Sequence, residues 1–191
     1  MHIEYRVAEM ADVPAIEALI PTSARGLKAG YYTAGQVEGA LGTIFGVDTQ
    51  LIKDGTYFVA VADKRIVGCG GWSKRVTEYG SDAAKKDEDR LRNPKSEPAM
   101  IRAFFVHPEY SRKGIGREIL RLSETGARDA GFVNIEIVAT LPGEPLYTAC
   151  GYGVVERFTI DLPKGEHLPV VRMRYGKTPN KAPASVLIRQ D

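Results

Sequence analysis

Residues 3–8, Ile3 to Ala8, alternate between apolar and polar well enough for a short strand. Behind them Asp12 sits where an N-cap belongs, ahead of Ile16, Leu19 and Ile20 at helical spacing. Pro21 should end that helix, since proline lacks the N–H that the next turn needs. A second helix is expected from Thr33, whose capping-box partner three residues on is Gln36, through Val37, Leu41 and Ile44. The runs Tyr57 to Ala62 and Ile66 to Trp72, separated by Asp63-Lys64-Arg65, read as a hairpin whose second-strand glycines admit a close neighbour or mark a bulge. Ala99 to Val106 is apolar on both faces, as a central strand is, and His107-Pro108 closes it. From Gly114 to Gly131, Ile115, Ile119 and Leu122 make one buried stripe, with Glu118, Arg121 and Glu124 left for water and Gly131 as the stop. A strand at Val133 to Ala139, a short helix at Glu144 to Cys150, and strands at Val154 to Leu162 and Leu168 to Tyr175 complete an α/β or α+β domain with a mixed sheet.

Two stretches break the pattern. Glu78 to Pro98 is polar and charged, with only Leu91 available for a core face; it reads as a surface excursion with a helical turn or as a lid over a pocket. Residues 176–191, with Lys177, Pro179, Lys181 and Pro183, read as a tail, which leaves residues 1–175 as one domain carrying the insertion at 78–98. At 191 residues, 43% hydrophobic and 26% charged, the chain can hold such a domain on its own core. The 26 lysines and arginines against 24 aspartates and glutamates give a net charge of +2, too small for a general binder of nucleic acid or membrane surfaces. Any basic patch that matters must be local. Cys69 and Cys150 lie far apart with no CxxC pair, and His2 and His167 have no clustered partners, so no metal site is expected and the protein reads as reduced and cytoplasmic. Neither a leader-like start nor a long apolar run suggests export or a membrane span.

The segment from Val106 to Arg117 joins a buried strand to an amphipathic helix. A loop entering a helix leaves the first N–H groups without intrahelical partners, and glycines keep side chains out of the way of an anion. One helix terminus contributes only about 0.3–1 kcal/mol towards an exposed charge, so several amides must converge on several oxygens, as on a pyrophosphate. Arg112, Lys113 and Arg117 add local positive charge. No Gly-x-x-x-x-Gly-Lys run is present, and Gly114 and Gly116 are followed by Ile119 where a dinucleotide fingerprint needs a third glycine.

Ser111, Arg112, Lys113, Gly114, Ile115 and Gly116 resemble the acetyl-CoA loop of the GNAT superfamily of N-acetyltransferases, Gln/Arg-x-x-Gly-x-Gly/Ala, with Ser111 as the departure. The likeness runs from Phe104-Phe105-Val106 to Leu146-Tyr147-Thr148-Ala149-Cys150-Gly151-Tyr152, which is similar to the family's Tyr-x-x-x-Gly-Phe/Tyr segment. It implies a central mixed, largely antiparallel sheet of about seven strands flanked by about four helices. It also implies acetyl-CoA as cosubstrate, held at Phe104 to Val106 and at Ser111 to Arg117, and a primary amine of a small molecule or peptide as acceptor.

The chemistry of such a transfer needs a base for the amine, a donor for the carbonyl oxygen and an acid for the thiolate. By the resemblance Tyr147 is the acid and a main-chain N–H within Phe104-Phe105-Val106 is the oxyanion donor. A glutamate often serves as base near the start of this strand, but here the stretch is Ala99-Met100-Ile101-Arg102, leaving Glu97 and Glu78 as candidates. Thr140 stands where the family often has an asparagine. Cys150 reads as a small buried hydrophobe. Tyr31, Tyr32 and Trp72 are the aromatics expected to line the acceptor pocket. The absent glutamate keeps a second reading open, a non-catalytic acyl-CoA sensor. A homodimer is also left open, since terminal strands often pair copies in this family.

Overall fold

Seven strands form one sheet in the order β1-β2-β3-β4-β5-β7-β6 in the computed structural model, which describes residues 2–27, 30–85 and 89–176. They are β1 (Glu4–Val7), β2 (Tyr57–Ala62), β3 (Arg65–Ser73), β4 (Ala99–Val106), β5 (Ile135–Thr140), β6 (Tyr152–Asp161) and β7 (His167–Tyr175). Every neighbouring pair is antiparallel except β4 and β5. The expected mixed, largely antiparallel sheet is therefore present. The hairpin β2–β3 closes through Asp63 and Lys64, both at positive φ (48° and 64°), the backbone that matches strand twist in a two-residue turn.

Five helices cover the sheet among the described residues: α1 (Val13–Leu27), α2 (Ala34–Ala40), α3 (Thr49–Lys53), α4 (Ile115–Asp129) and α5 (Glu144–Ala149). Strand alternation divides the core. Val59 and Phe105 join Ile16, Leu19 and Ile20 of α1 on one face, while Ala60 and Val67 meet Ile115 and Ile119 of α4 on the other. The α4 stripe is Ile115, Ile119, Leu120, Ser123 and Ala127; Leu122, expected in it, is only half-buried.

Several elements differ from the sequence expectation. α1 runs through Pro21, because its buried face, Ile16, Leu19, Ile20, Ser23 and Ala24, spans both sides of the proline. Burying each large aliphatic side chain is worth about 1.5–3 kcal/mol, and together they outweigh the roughly 3 kcal/mol of an interior proline. Asp12 is not the N-cap of α1; it ends a 3-10 turn, Met10–Asp12, where its carboxylate accepts the Glu9 N–H at 2.8 Å and pairs with Arg6. The Thr33–Gln36 capping box forms in both directions, at 3.1 and 3.0 Å. α2 nevertheless stops at Ala40, where Leu41 is extended and Gly42 adopts φ 85° to turn the chain back, so Leu41 and Ile44 lie beyond it. α3 was not foreseen; Asp48 caps it by accepting the Gln50 N–H.

The β3–β4 connection carries the expected helical turn, Asp82–Ala84. Leu91 does not make a core face; it is 57% exposed. Arg75 binds Asp54 through two N–H groups at 2.7 and 2.9 Å, and Arg92 donates to the carbonyls of Arg75 and Val76, so charged side chains anchor this excursion. The tail expected at 176–191 lies outside the described residues apart from Gly176. No helix of the described residues is long and apolar enough to cross a membrane.

Candidate active site

β4 and β5 pair only at Ala99, Met100 and Ile101 with Ile135, Glu136 and Ile137. Beyond that point β4 stays with β3 as far as Val106 and β5 stays with β7 as far as Thr140, so a split opens between them. The split starts at a bulge. Gly70 faces both Ala103 and Phe104, and Ala103 takes φ 57°, which costs a non-glycine residue roughly 1–2 kcal/mol. Two features hold it: the Tyr57 hydroxyl donates to the Ala103 carbonyl at 2.8 Å, and the missing side chain of Gly70 leaves room for the Phe104 ring, which a Cβ would approach to 2.6 Å.

The bulge decides which amides face the split. The His107 N–H donates to Val67 in β3 at 2.8 Å, so by strand alternation Phe105 also faces β3, whereas Phe104 and Val106 face the split. The Val106 N–H is already given to Ser23 Oγ at 3.1 Å. Phe104 thus supplies the amide directed into the opening.

Outside this edge the chain passes a 3-10 turn, Pro108–Tyr110, then Arg112 at φ 61° and Gly114 at φ 84°, where α4 begins. Left-handed residues placed this way turn successive N–H groups towards one point. Gly114 caps α4 without a side chain, and the first amide bonded back into the helix is that of Glu118, to Gly114 O at 3.0 Å. The amides before it remain available to a ligand. They line a cleft of about 820 Å³ whose walls include Tyr31, Arg112, Arg117, Pro145 and Leu146, with no carboxylate among the described lining residues. Gly116 lets α4 and α5 close up here, since a Cβ would stand 3.1 Å from Leu146 Cδ2.

A second hollow, about 80 Å³, lies behind Phe104. Tyr147, on α5, forms part of its wall; its ring is held edge-on between Phe104 and Tyr152, at 6.1 and 5.8 Å between centroids. Burial, and then the neighbouring Cys150, push the Tyr147 phenol well above its ordinary pKa, so it stays protonated at neutral pH. Glu78, Tyr79 and Gly80 of the β3–β4 connection close the cavity. They are held by Arg102, 2% exposed, which donates to the carbonyls of Thr77 and Gly80 at 3.0 and 2.6 Å. Its counter-charge is Asp48, 1% exposed, with Oδ2 at 3.0 Å; the pair is close but not aligned as a hydrogen bond. Asp48 also takes the Lys85 ammonium. Burial lowers the Arg102 pKa against the pull of Asp48.

The structure brings together Phe104, Val106, Ser111, Arg112, Gly114, Ile115, Gly116 and Arg117 with Tyr31 around the cleft or its inner edge, and Tyr147 beside Phe104. Others lie elsewhere. Lys113 is exposed, with Nζ 4.8 Å over the Tyr110 ring; Phe105 is absent from the cleft but lines the second hollow, its ring edge-on to Phe45 at 6.2 Å. Tyr32 is buried as a clamp, donating to Pro169 O at 2.7 Å and accepting the Leu141 N–H at 2.9 Å. Trp72 packs against Phe132 in the α4-side core. Neither lines either hollow. Of the two candidate bases, Glu97 is bound by Arg90 and by the Asn93 N–H, which bring its pKa to about 2. Glu78 does reach the cavity. Burial alone would raise its pKa, but the hydrogen bonds and charges of Arg172 and Arg92 outweigh burial and lower it. Tyr79, Arg102 and the apolar walls from Phe45, Val138 and Leu168 were missed. Arg102 left a trace in the sequence, since a charge inside a strand apolar on both faces must have a buried partner.

Residues 53–154 match the family model described as an acetyltransferase (GNAT) domain. The fold is also that of several solved structures. A GCN5-related N-acetyltransferase from Rhodopseudomonas palustris superposes with a TM-score of 0.67 at 18% identity, over 92% of this chain and 96% of that one. The PaiA N-acetyltransferase of Thermoplasma acidophilum, solved in complex with coenzyme A, gives 0.60 at 15% identity, over 92% and 99%. YncA, a putative acetyltransferase of Salmonella typhimurium solved with its cofactor acetyl-CoA, gives 0.58 at 16%, over 97% and 99%. No curated protein sequence matches the chain.

Proposed function

This chain belongs to the GNAT family of acetyltransferases, and we propose that it transfers an acetyl group from acetyl-CoA to a primary amine by direct attack while both are bound. The observation that carries this reading is the cleft at the start of α4: amides without intrahelical partners, Arg112 and Arg117, and no lining carboxylate. That donor set fits a diphosphate. Acetyl-CoA supplies the acyl group as a thioester.

The first turn of α4 and the loop before it would hold the diphosphate, with Arg112 to Arg117 contributing main-chain N–H groups, the Ser111 N–H being given to the Pro108 carbonyl, and the two arginines screening its charge. Lys113, turned onto Tyr110, would contribute its backbone and long-range charge only. The open edge of β4 leads from this cradle to Phe104, whose amide is placed to stabilise negative charge on the carbonyl oxygen. Tyr147 stands beside Phe104 with its proton retained. As the C–S bond breaks, Tyr147 hydrogen-bonds the leaving sulfur and passes its proton to it. The acceptor approaches from the cavity behind Phe104, with Tyr31 bordering the coenzyme side.

Acetyl-CoA should raise the melting temperature of the full chain, and an amine library should release free thiol above background hydrolysis. Tyr147→Phe should lower kcat far more than coenzyme affinity. Unchanged turnover in that variant would remove Tyr147 from its role, and coenzyme binding without turnover on any amine would favour a sensor.

A further inference from the structure

Resting on the transferase reading, we propose that the acceptor is an apolar monoamine with a short aliphatic or aromatic body, and that it reacts as the neutral amine without a side-chain base. Size sets the first bound. A cavity of about 80 Å³ has room for roughly five to eight water-sized positions, at about 10–15 Å³ each.

Charge sets the second. Of the described side chains facing the cavity only Glu78, Tyr79, Arg102 and Tyr147 titrate or carry charge; β5, β6, β7 and the segment after α2 contribute apolar groups and the Thr140 hydroxyl. Both charged groups are taken. Glu78 receives two N–H groups of Arg172 at 3.0 and 2.9 Å and has Arg92 at 3.6 Å. Arg102 is spent on Asp48 and on two carbonyls. Behind them Arg172 and Arg174 are matched by Glu136 and Glu156. Among the described residues a second ammonium finds no free carboxylate here, and a substrate carboxylate finds no free guanidinium. Either would be buried without a partner.

The same walls replace the missing base. An ammonium among apolar groups is desolvated and gives up its proton to water on entering. The neutral nitrogen then bonds to the acyl carbon as the C–S bond breaks. Tyr147 gives a proton to sulfur and regains one from solvent, while the new amide nitrogen sheds one to solvent.

The test uses the full chain with saturating acetyl-CoA and thiol release as readout, comparing hexylamine, its isostere 1,5-diaminopentane, and norleucine. Hexylamine should exceed both in kcat/KM by about tenfold or more, the cost of one unpaired buried polar group. Equal or better turnover of the diamine or the amino acid overturns the proposal while leaving the transferase reading standing. Thiol release from no amine overturns both. With 2,2,2-trifluoroethylamine, whose ammonium is far more acidic, the rising limb of kcat/KM against pH should move down with the substrate's own pKa. A limb that stays in place for both amines marks a base on the protein and overturns the proposal.

Discussion

The cleft at the start of α4 and the cavity behind Phe104 meet at the same strand edge, yet they are made of different materials. The cleft is main chain: amides exposed by Gly114, a left-handed Arg112, and two arginines facing solvent. The cavity is side chain, drawn from the segment after α2, the β3–β4 connection, α5 and four strands, and locked by a buried pair, Arg102 and Asp48. A main-chain cradle answers to one chemical group and tolerates most neighbouring side chains. A side-chain cavity answers to whichever residues happen to converge. On the proposed reading the first would take the coenzyme and the second the acceptor.

The sharpest way to break the comparison is to attack the lock alone. Arg102→Met leaves Asp48 with Lys85 and the Gln50 N–H, and removing one member of a buried pair costs about 3–5 kcal/mol. For a chain of this size that lowers Tm by on the order of 10 °C. Coenzyme affinity of the folded variant should stay within about twofold, or about 0.4 kcal/mol, well inside the roughly 1.4 kcal/mol of a tenfold change. Calorimetry checks both, and a Tm fall of a degree or less would show that the pair does not hold the cavity.

Tyr147→Phe comes next. Loss of a positioned acid should lower kcat by about 100-fold or more with little change in acetyl-CoA binding, as steady-state kinetics and titration will show. Smaller is the effect of Gly114→Ala. No atom lies within 4 Å of the new methyl, so the cost is conformational, roughly 1–2 kcal/mol at φ 84°. It should appear as weaker coenzyme binding with acceptor KM unchanged. A matching rise in acceptor KM would mean that the two hollows are not separable.

The mildest probe is acid. Glu78 has a folded pKa below its ordinary 4.5, so its bonds to Arg172 add stability that is present above pH 4.5 and is lost as the pH falls through the lower folded value. Glu97, with its pKa at about 2, releases Arg90 over the window from 4.5 to about 2. Exchange protection, measured against the free-peptide rate, should therefore fall in acid at Thr77 to Gly80 before it falls in α4 beyond Glu118. Simultaneous loosening would contradict a separately held lid.

The same contrast explains what could be read in advance. The places of Gly114 and Gly116 at the start of α4 and of Tyr147 on α5 were legible because a strand-to-helix loop and a short helix each leave their mark along one stretch of chain. The hairpin, the central strand and α4 were legible from periodicity. Tyr32 and Trp72 were misplaced because an aromatic residue carries no mark of whether its polar end meets water, a ligand or a carbonyl; Tyr32 meets Pro169 and Leu141. Pro21 misled because its local penalty was weighed without the buried face that continues past it. Arg102, Glu78 and Val170 are scattered along the chain and become neighbours only through the register of β3, β4, β5 and β7.

The central claim, that main-chain amides at the start of α4 grip a diphosphate, is tested most directly by competition in isothermal titration. Acetyl-CoA should bind the full chain, and S-acetylpantetheine, which has the thioester arm but no diphosphate, should fail to compete at about 100-fold excess, a margin of roughly 2.7 kcal/mol. Equal binding of the two, or no heat from acetyl-CoA at all, would contradict the account.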